Sequence, residues 1–304
     1  MQTVKTRMRW PYYAVLLFVL LFWGCSSIIY SYLYKYYSAS VLSAIMTFAS
    51  FLFFLLLSRK KLKNFDASYL KYGLPACLFS AFAGVMQRIG LQYTTPAHYA
   101  FLEHIACVVV PIAVFLLVRK KPSILQSFSV VICLVGCFII SGADFSSAIN
   151  VGDVLCFSAG ILYGLSSALI GTYGKKLDTA LFMLVYTFVY FLVSLGLAFT
   201  MDNILIGGVP MEKATYSLYI PLLFAVAVLG IVDIGVCWFL KNLAVQRLDP
   251  TTVATVSPFS AVIAGAFSVV LQIEPISVKL VVGSVLIMTA TLLPELPSLF
   301  HPKK

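Results

Sequence analysis

PAHYAFLEHIACVVVPIAVFLLVRKKPS, residues 96–123, decides what kind of molecule this is. The run is long and apolar enough to cross a bilayer, which takes about 20 residues of helix. Yet it carries Glu103 and His104, with His98 near its start, and it stops at Arg119-Lys120-Lys121. An ionisable side chain at such depth is costly unless it pairs or meets water, so Glu103 is by default a functional-site candidate. The stretch has a second copy. Residues 250–277, PTTVATVSPFSAVIAGAFSVVLQIEPIS, repeat the Pro-led start, the internal Pro and an exit marked by Pro and Ser. Ser257 stands where Glu103 would be, and the exit reads Gln272-Ile273-Glu274 in place of three cations.

Composition excludes a water-soluble domain. Of 304 residues 61% are hydrophobic and 11% charged, with a mean hydropathy of +1.00, which is the profile of a polytopic membrane protein. The net charge of +10 sits in short clusters between apolar runs, a topology signal that gives no reason to invoke nucleic acid. All seven cysteines fall inside apolar runs and read as small buried hydrophobes. The basic start resembles a secretory signal, but Phe22 and Trp23 are too bulky to precede a cleavage site, so the first helix is expected to be retained. Histidines at 98, 104 and 301 offer no metal-ligand spacing, and no phosphate-binding glycine loop appears. No enzyme activity, metal or cofactor is therefore expected, and nothing resembles a channel filter.

Apolar runs predict ten spans, near Tyr13–Tyr34, Val41–Leu57, Gly73–Tyr93, Ala97–Val118, Ile124–Ser141, Asp153–Tyr173, Ala180–Phe199, Leu218–Leu240, Thr251–Leu271 and Val278–Leu293. With a cytoplasmic N-terminus, 17 of the 21 cations, Lys241 among them, fall in inside segments and leave out Lys35, Arg88, Lys213 and Lys279. That bias places both termini in the cytoplasm of a multi-pass protein of the cell (inner) membrane. Five spans precede Val151-Gly152-Asp153 and five follow, so the second half must thread the bilayer upside down. The chain then divides at 1–150 and 151–304 into two inverted five-helix repeats of an all-α membrane fold. Such repeats hold a solute near the midplane between the halves and expose it alternately to either side.

Several motifs point the same way: Trp23-Gly24 late in the first span, Gly90-Leu91-Gln92-Tyr93-Thr94-Thr95 before the fourth, Val110-Pro111 within it, Gly152-Asp153 opening the sixth and Glu274-Pro275 before the tenth. In order and spacing this set resembles the EamA-type drug/metabolite transporters over nearly the whole chain. The resemblance implies a ten-helix secondary carrier with a central cavity lined mainly by helices 1, 3, 4, 6, 8 and 9. It implies solutes as different as amino acids, amines, nucleosides, nucleotide sugars and drugs, so it does not name the cargo. The chain departs from the family at Val256-Ser257-Pro258, where many relatives carry an acid, and at Glu103-His104, usually an uncharged pair.

Six residues are singled out as substrate-binding or coupling candidates: Glu103, Arg88, His104, Gln87, Trp23 and Asp233. Counted from the same surface, Glu103 lies about 9 Å and Arg88 about 7.5 Å deep on adjoining helices of a hairpin. They are expected to pair, either to neutralise two buried charges or as a gate whose carboxylate frees the arginine. His104 is turned about 100° from Glu103, and it serves as a proton relay or bonds a neighbouring helix. Asp233 lies about 22 Å down its span and needs a partner from another helix or water in a cavity. Gln87 donates to solute or across helices, and Trp23 walls a cavity or packs. Gly160 and Gly164 have the spacing of a close helix contact. The expectation is a carrier of a small organic metabolite, an amino acid, amine or nucleotide-like solute, with a coupling proton or counter-solute, as monomer or homodimer. Export of toxic compounds and a non-transporting sensor subunit are the alternatives.

Overall fold

The computed structural model describes residues 10–94, 96–142, 150–206, 209–210, 213, 215–272 and 275–295. Lys5, Arg7, Arg9, Thr95, Ile273, Glu274, His301, Lys303, Lys304 and the side chain of His98 lie outside the described part. Thirteen α-helices account for nearly all of it: α1 Trp10–Leu33, α2 Ala39–Ser58, α3 Leu74–Tyr93, α4 Pro96–Glu103, α5 Ala106–Val118, α6 Ile124–Ser141, α7 Val151–Tyr173, α8 Thr179–Thr200, α9 Ile220–Gly230, α10 Trp238–Arg247, α11 Pro250–Val256, α12 Phe259–Val270 and α13 Val278–Leu292. A single antiparallel pairing of Leu205–Ile206 with Val209–Pro210 is the only strand structure among the described residues.

The starts of these helices follow from local chemistry. Ser123 with Gln126 and Asn150 with Asp153 form reciprocal capping boxes, while Asp178, Asp249 and Ser277 accept from the first free amides of α8, α11 and α13. Gly142, at φ 58°, closes α6. Eight helical stretches are long and apolar enough to cross a membrane, and two shorter apolar ones, Pro11–Ser26 and Val278–Leu292, stand where the first and tenth spans were expected. One boundary is corrected. The expected span ending at Leu240 continues through Lys241 to Arg247, so Lys241 lies inside a helix two turns from its end and not in a loop.

Both repeated stretches are broken helices. In the first, His104 and Ile105 bond to carbonyls three residues back, Phe101 and Leu102, and so do Cys107 and Val108, so the ladder tightens into 3₁₀ geometry between α4 and α5. In the second, Pro258 has no amide to donate, and Ser257-Pro258 separates α11 from α12. The exits match as well: Arg119 (φ 56°) and Gln272 (φ 57°) are the only non-glycine residues in the left-handed region among those described. Two further interruptions are π-helical, Tyr69–Gly73 leading into α3 and Ile231–Cys237 joining α9 to α10.

Packing runs mostly between the two halves of the sequence. α3 lies on α7, α2 on α8, α6 on α13, α5 on α7, and α1 on α12 and α10. Glycines permit the tightest crossings. A Cβ at Gly152 would meet the backbone of Gly90 and Thr94 at 2.6 Å, and one at Gly283 would meet the Gly136 carbonyl at 2.7 Å. Gly160 and Gly164 receive the α4–α5 elbow: a Cβ at Gly160 would stand 2.7 Å from the Leu102 carbonyl. Tyr37, Tyr186, Tyr190, Phe54 and Phe182 fill the interior, while Leu56, Leu116, Ile124, Phe199 and Val278 form part of an apolar outer sheath suited to lipid. At one end, two ion pairs bridge the halves. Lys61 reaches Asp178 at 2.7 Å, and Lys120 reaches Asp249.

Substituting Gly152→Ala is expected to destabilise the protein by about 1–3 kcal/mol, because backbone blocks the new methyl on two sides. Gly196→Ala, where nothing lies within 4 Å, is expected to be neutral or to stabilise by up to about 1 kcal/mol; thermal unfolding in detergent compares the two. Partial burial would raise the Asp178 carboxyl, but the Lys61 ammonium and the amides of Leu181 and Ala180 together hold it below the usual aspartate range. A depressed carboxyl stabilises above its unfolded value of about 3.9 and loses that contribution as pH falls through the lower folded value. The Tm deficit of Asp178→Asn is therefore expected to persist from neutral pH down to about 4 and to vanish only below it.

Candidate functional site

The interior holds two charge centres. The first is built on Arg88 of α3. Its Nη1 donates to Ser43 Oγ of α2 at 2.8 Å, its Nη2 lies 3.8 Å from Asp233 Oδ2, and the guanidinium rests 5.1 Å from the centre of the Tyr30 ring. Tyr30 Oη in turn donates to the Asp233 carboxylate. The side chains are 13% and 6% exposed for Arg88 and Asp233, so this is an interior pair, and four separate segments supply its groups. Ser43 also donates to the Ala39 carbonyl, which fixes the hydroxyl for the arginine. Asp233 Oδ1 is buried without a hydrogen bond of good geometry, although the Trp23 indole bears on the carboxylate.

The expected pairing of Arg88 with Glu103 is not formed. A shared depth on a hairpin does not fix the direction in which a side chain turns around its helix. Gln87, one residue earlier and about 100° away, faces α4 and donates from Nε2 to Tyr99 Oη at 3.0 Å. Arg88 consequently turns toward α2 and the π-helical segment, where Asp233 supplies the counter-charge.

The second centre contains Glu103 and Lys241. Lys241 Nζ sits 4.2 Å from the centre of the Trp238 ring, 5.7 Å from Trp23 and 5.9 Å from Tyr163, a three-ring cage from α10, α1 and α7. Trp238 is itself 5.5 Å from Trp23, Tyr163 and Tyr186, so the cage walls support one another. Glu103, the last residue of α4, is near enough to Tyr99, Cys156, Tyr163 and Lys241 to act on them electrostatically. Among the described residues no cation is in ion-pair contact with it. His104 is buried at 8% exposure and begins the 3₁₀ break.

Glu103, Lys241, Trp23, Trp238, Tyr163 and Tyr99 are each only partly buried, while Lys241, Tyr163 and Tyr99 lie deep inside the bundle. Deep groups that keep accessible surface line internal space. Two cavities open elsewhere: one of about 280 Å³ beside Asp178, and an apolar one of about 310 Å³ between α1, α11, α12 and α13, lined in part by Leu17, Val256, Phe259 and Met288. Neither touches Glu103 or Lys241.

Of the six residues singled out from the sequence, the structure joins Arg88 to Asp233, brings Trp23 against both centres, sets Gln87 on Tyr99, and puts Glu103 and His104 at a helix break. Lys241, Trp238, Tyr163, Tyr30 and Ser43 were missed. No sequence signal marked Lys241, which follows the π-helical segment Ile231–Cys237. The π-helical turns there advance by less than 100° per residue, and the shortfall swings Lys241 toward the face that carries Asp233. In an unbroken α-helix the two would stand on different faces.

Removing one partner of the buried pair leaves the other uncompensated. Arg88→Gln and Asp233→Asn are each expected to cost about 3–5 kcal/mol, and the double variant less than their sum. A double-mutant cycle on thermal unfolding reads the coupling; strict additivity would mean the two charges do not interact.

Comparison with known proteins adds three findings. The model of the EamA-like transporter family matches twice, over residues 10–142 and 150–294. An uncharacterized transporter of Archaeoglobus fulgidus is 25% identical over 176 residues, which cover 58% of this chain and 54% of that protein, so the chain spans about half the length of this relative. A protein of known crystal structure superposes with a TM-score of 0.75 at 12% identity, covering 94% of this chain and 96% of the other, a likeness of fold alone.

Proposed function

Because the chain belongs to the EamA-like transporter family, we propose that it is a secondary carrier that moves a small organic metabolite across the cell membrane by alternating access. The double match of the family model supports two repeats, 1–150 and 151–304. Five spans in each repeat give ten in all, with the second half inverted and both termini in the cytoplasm.

One observation carries the reading: the interior charges are sorted into a closed pair and an open pair. Arg88 and Asp233 neutralise each other across 3.8 Å and, through Ser43 and Tyr30, join α1, α2, α3 and the π-helical segment. Glu103 and the caged Lys241 keep no ion partner of their own among the described residues, and they stand in aromatic surroundings that suit an organic body. The fitting solute is dipolar, its cationic end on Glu103 and its anionic end on Lys241. When the site is empty, the rings of Trp238, Trp23 and Tyr163 take the ammonium in place of the solute's anion. Glu103 also serves as the natural carrier of a coupling proton. The matched breaks at His104-Ile105 and Ser257-Pro258, beside this site, are where the halves flex, and the ion pairs Lys61–Asp178 and Lys120–Asp249 part whenever their end of the bundle opens.

Counterflow in proteoliposomes, with panels of zwitterionic, cationic and anionic solutes and with or without a pH gradient, tests this. Glu103→Gln is expected to lower kcat/KM by roughly 10- to 150-fold, the worth of a charge-assisted hydrogen bond, and to flatten any pH dependence. Lys241→Gln is expected to weaken solutes that carry a carboxylate and to spare those that do not. Wild-type rates in Glu103→Gln would refute the assigned site; absence of flux for every panel member would refute the carrier reading.

A further inference from the structure

The cavity of about 280 Å³ beside Asp178 lies apart from both charge centres and is left over by the transport reading. Its wall is drawn from four places: Lys61 after α2, Lys175 in the 3₁₀ turn after α7, the start of α8 at Leu177–Ala180, and the end of α10 with Gln246 and Arg247. Three cations therefore meet there, against one carboxylate, Asp178, which Lys61 already holds at 2.7 Å. Among the described residues Lys175 and Arg247 have no ion partner. The floor is apolar, made by Leu177, Ala180, Phe239 and Leu243.

One buried group in this wall has an unmet requirement. Gln246 is 3% exposed, its Oε1 accepts from Thr179 Oγ1 at 2.8 Å, and its Nε2 has no hydrogen-bond acceptor among the described residues. Buried amide donors are nearly always satisfied, so an unused one in the wall of a cation-lined cavity is an unfilled position for an acceptor. Two unpaired cations, a free amide donor and an apolar floor together match a phosphate ester: the oxygens accept from Arg247, Lys175 and Gln246, and the attached carbon chain covers the floor. Basic pockets between membrane helices at the cation-rich face are suited to such head groups.

We propose that this cavity is a binding site for a phosphate-bearing ligand, separate from the transport path. The ligand also competes with Asp178 for Lys61, so its binding bears on one of the two ion pairs that bridge the halves. An anionic phospholipid and a soluble phosphate share this chemistry, and the experiment separates them.

The purified full-length protein in a neutral detergent is titrated with short-chain phosphatidylglycerol, with short-chain phosphatidylcholine and with inorganic phosphate, at constant ionic strength set by chloride. A rise in Tm of roughly 2–4 °C is expected for phosphatidylglycerol, absent in Lys175→Gln/Arg247→Gln and in Gln246→Leu, and restored in Arg247→Lys. The same rise with inorganic phosphate alone would assign the site to a soluble phosphate. Unliganded Tm and monodisperse elution establish that each variant is folded. The proposal is overturned if no phosphate compound raises Tm above chloride, if phosphatidylcholine does so equally, or if the folded variants respond as the wild type does.

Discussion

A guanidinium within the hydrocarbon layer has to find its counter-charge inside the protein, and the position of Arg88 settles much of what surrounds it. Its fork reaches across to Asp233, its flank lies on Tyr30, and a serine from a third helix takes a further donor. Lipid supplies no water to mend a missing contact, so the helices bearing these four groups are fixed in azimuth as well as in depth. With that pair closed, the remaining interior charges are left for other work. The carboxylate at the α4 elbow and the ammonium in its ring cage owe their freedom to a neutralisation completed one helix away.

Helix interruptions do the positioning. An unbroken helix through residues 96–118 would carry Glu103 onward with a regular twist. The 3₁₀ turn after it stops α4 there and lets Gly160 and Gly164 draw the elbow against α7. The π-helical turns after Gly230 act in the opposite sense, loosening the pitch so that Asp233 and Lys241 come round toward one side. Departures from ideal geometry at these two places therefore coincide with interior charged residues, as expected where irregular backbone lines an internal space.

Much of this was legible in the residues themselves. Hydropathy and cation clusters marked the membrane class and the helical stretches, and the copied Pro-led segment marked a repeat, but both copies were expected as unbroken spans, and the interruption of the first lies at His104-Ile105 and not at its internal Pro111. Glu103, Trp23 and Asp233 were singled out because a charge or a bulky ring in an apolar run is conspicuous. The partner of Arg88 was not legible, because span ends report depth and say nothing about which way a side chain turns. The same blindness hid Gln87's approach to Tyr99. Lys241 was lost for a different reason: a cation near the end of an apolar run looks like a loop residue unless the helix is known to continue. Its cage depends on π-helical pitch, and a period of 3.6 cannot reveal it.

The placement of Arg88 and Asp233 on opposite halves of the sequence has a consequence for biogenesis. As the chain leaves the ribosome, α3 is handed to the bilayer long before the codon for Asp233 has been read. At roughly 5–20 residues per second, the arginine spends on the order of ten seconds without its acid, sheltered only by the translocon, by snorkelling toward the surface, or by Ser43 of the preceding helix. Co-translational insertion of this protein is thus a race in which an unfinished intermediate, already lodged in lipid, waits for its second half to arrive and complete the charge.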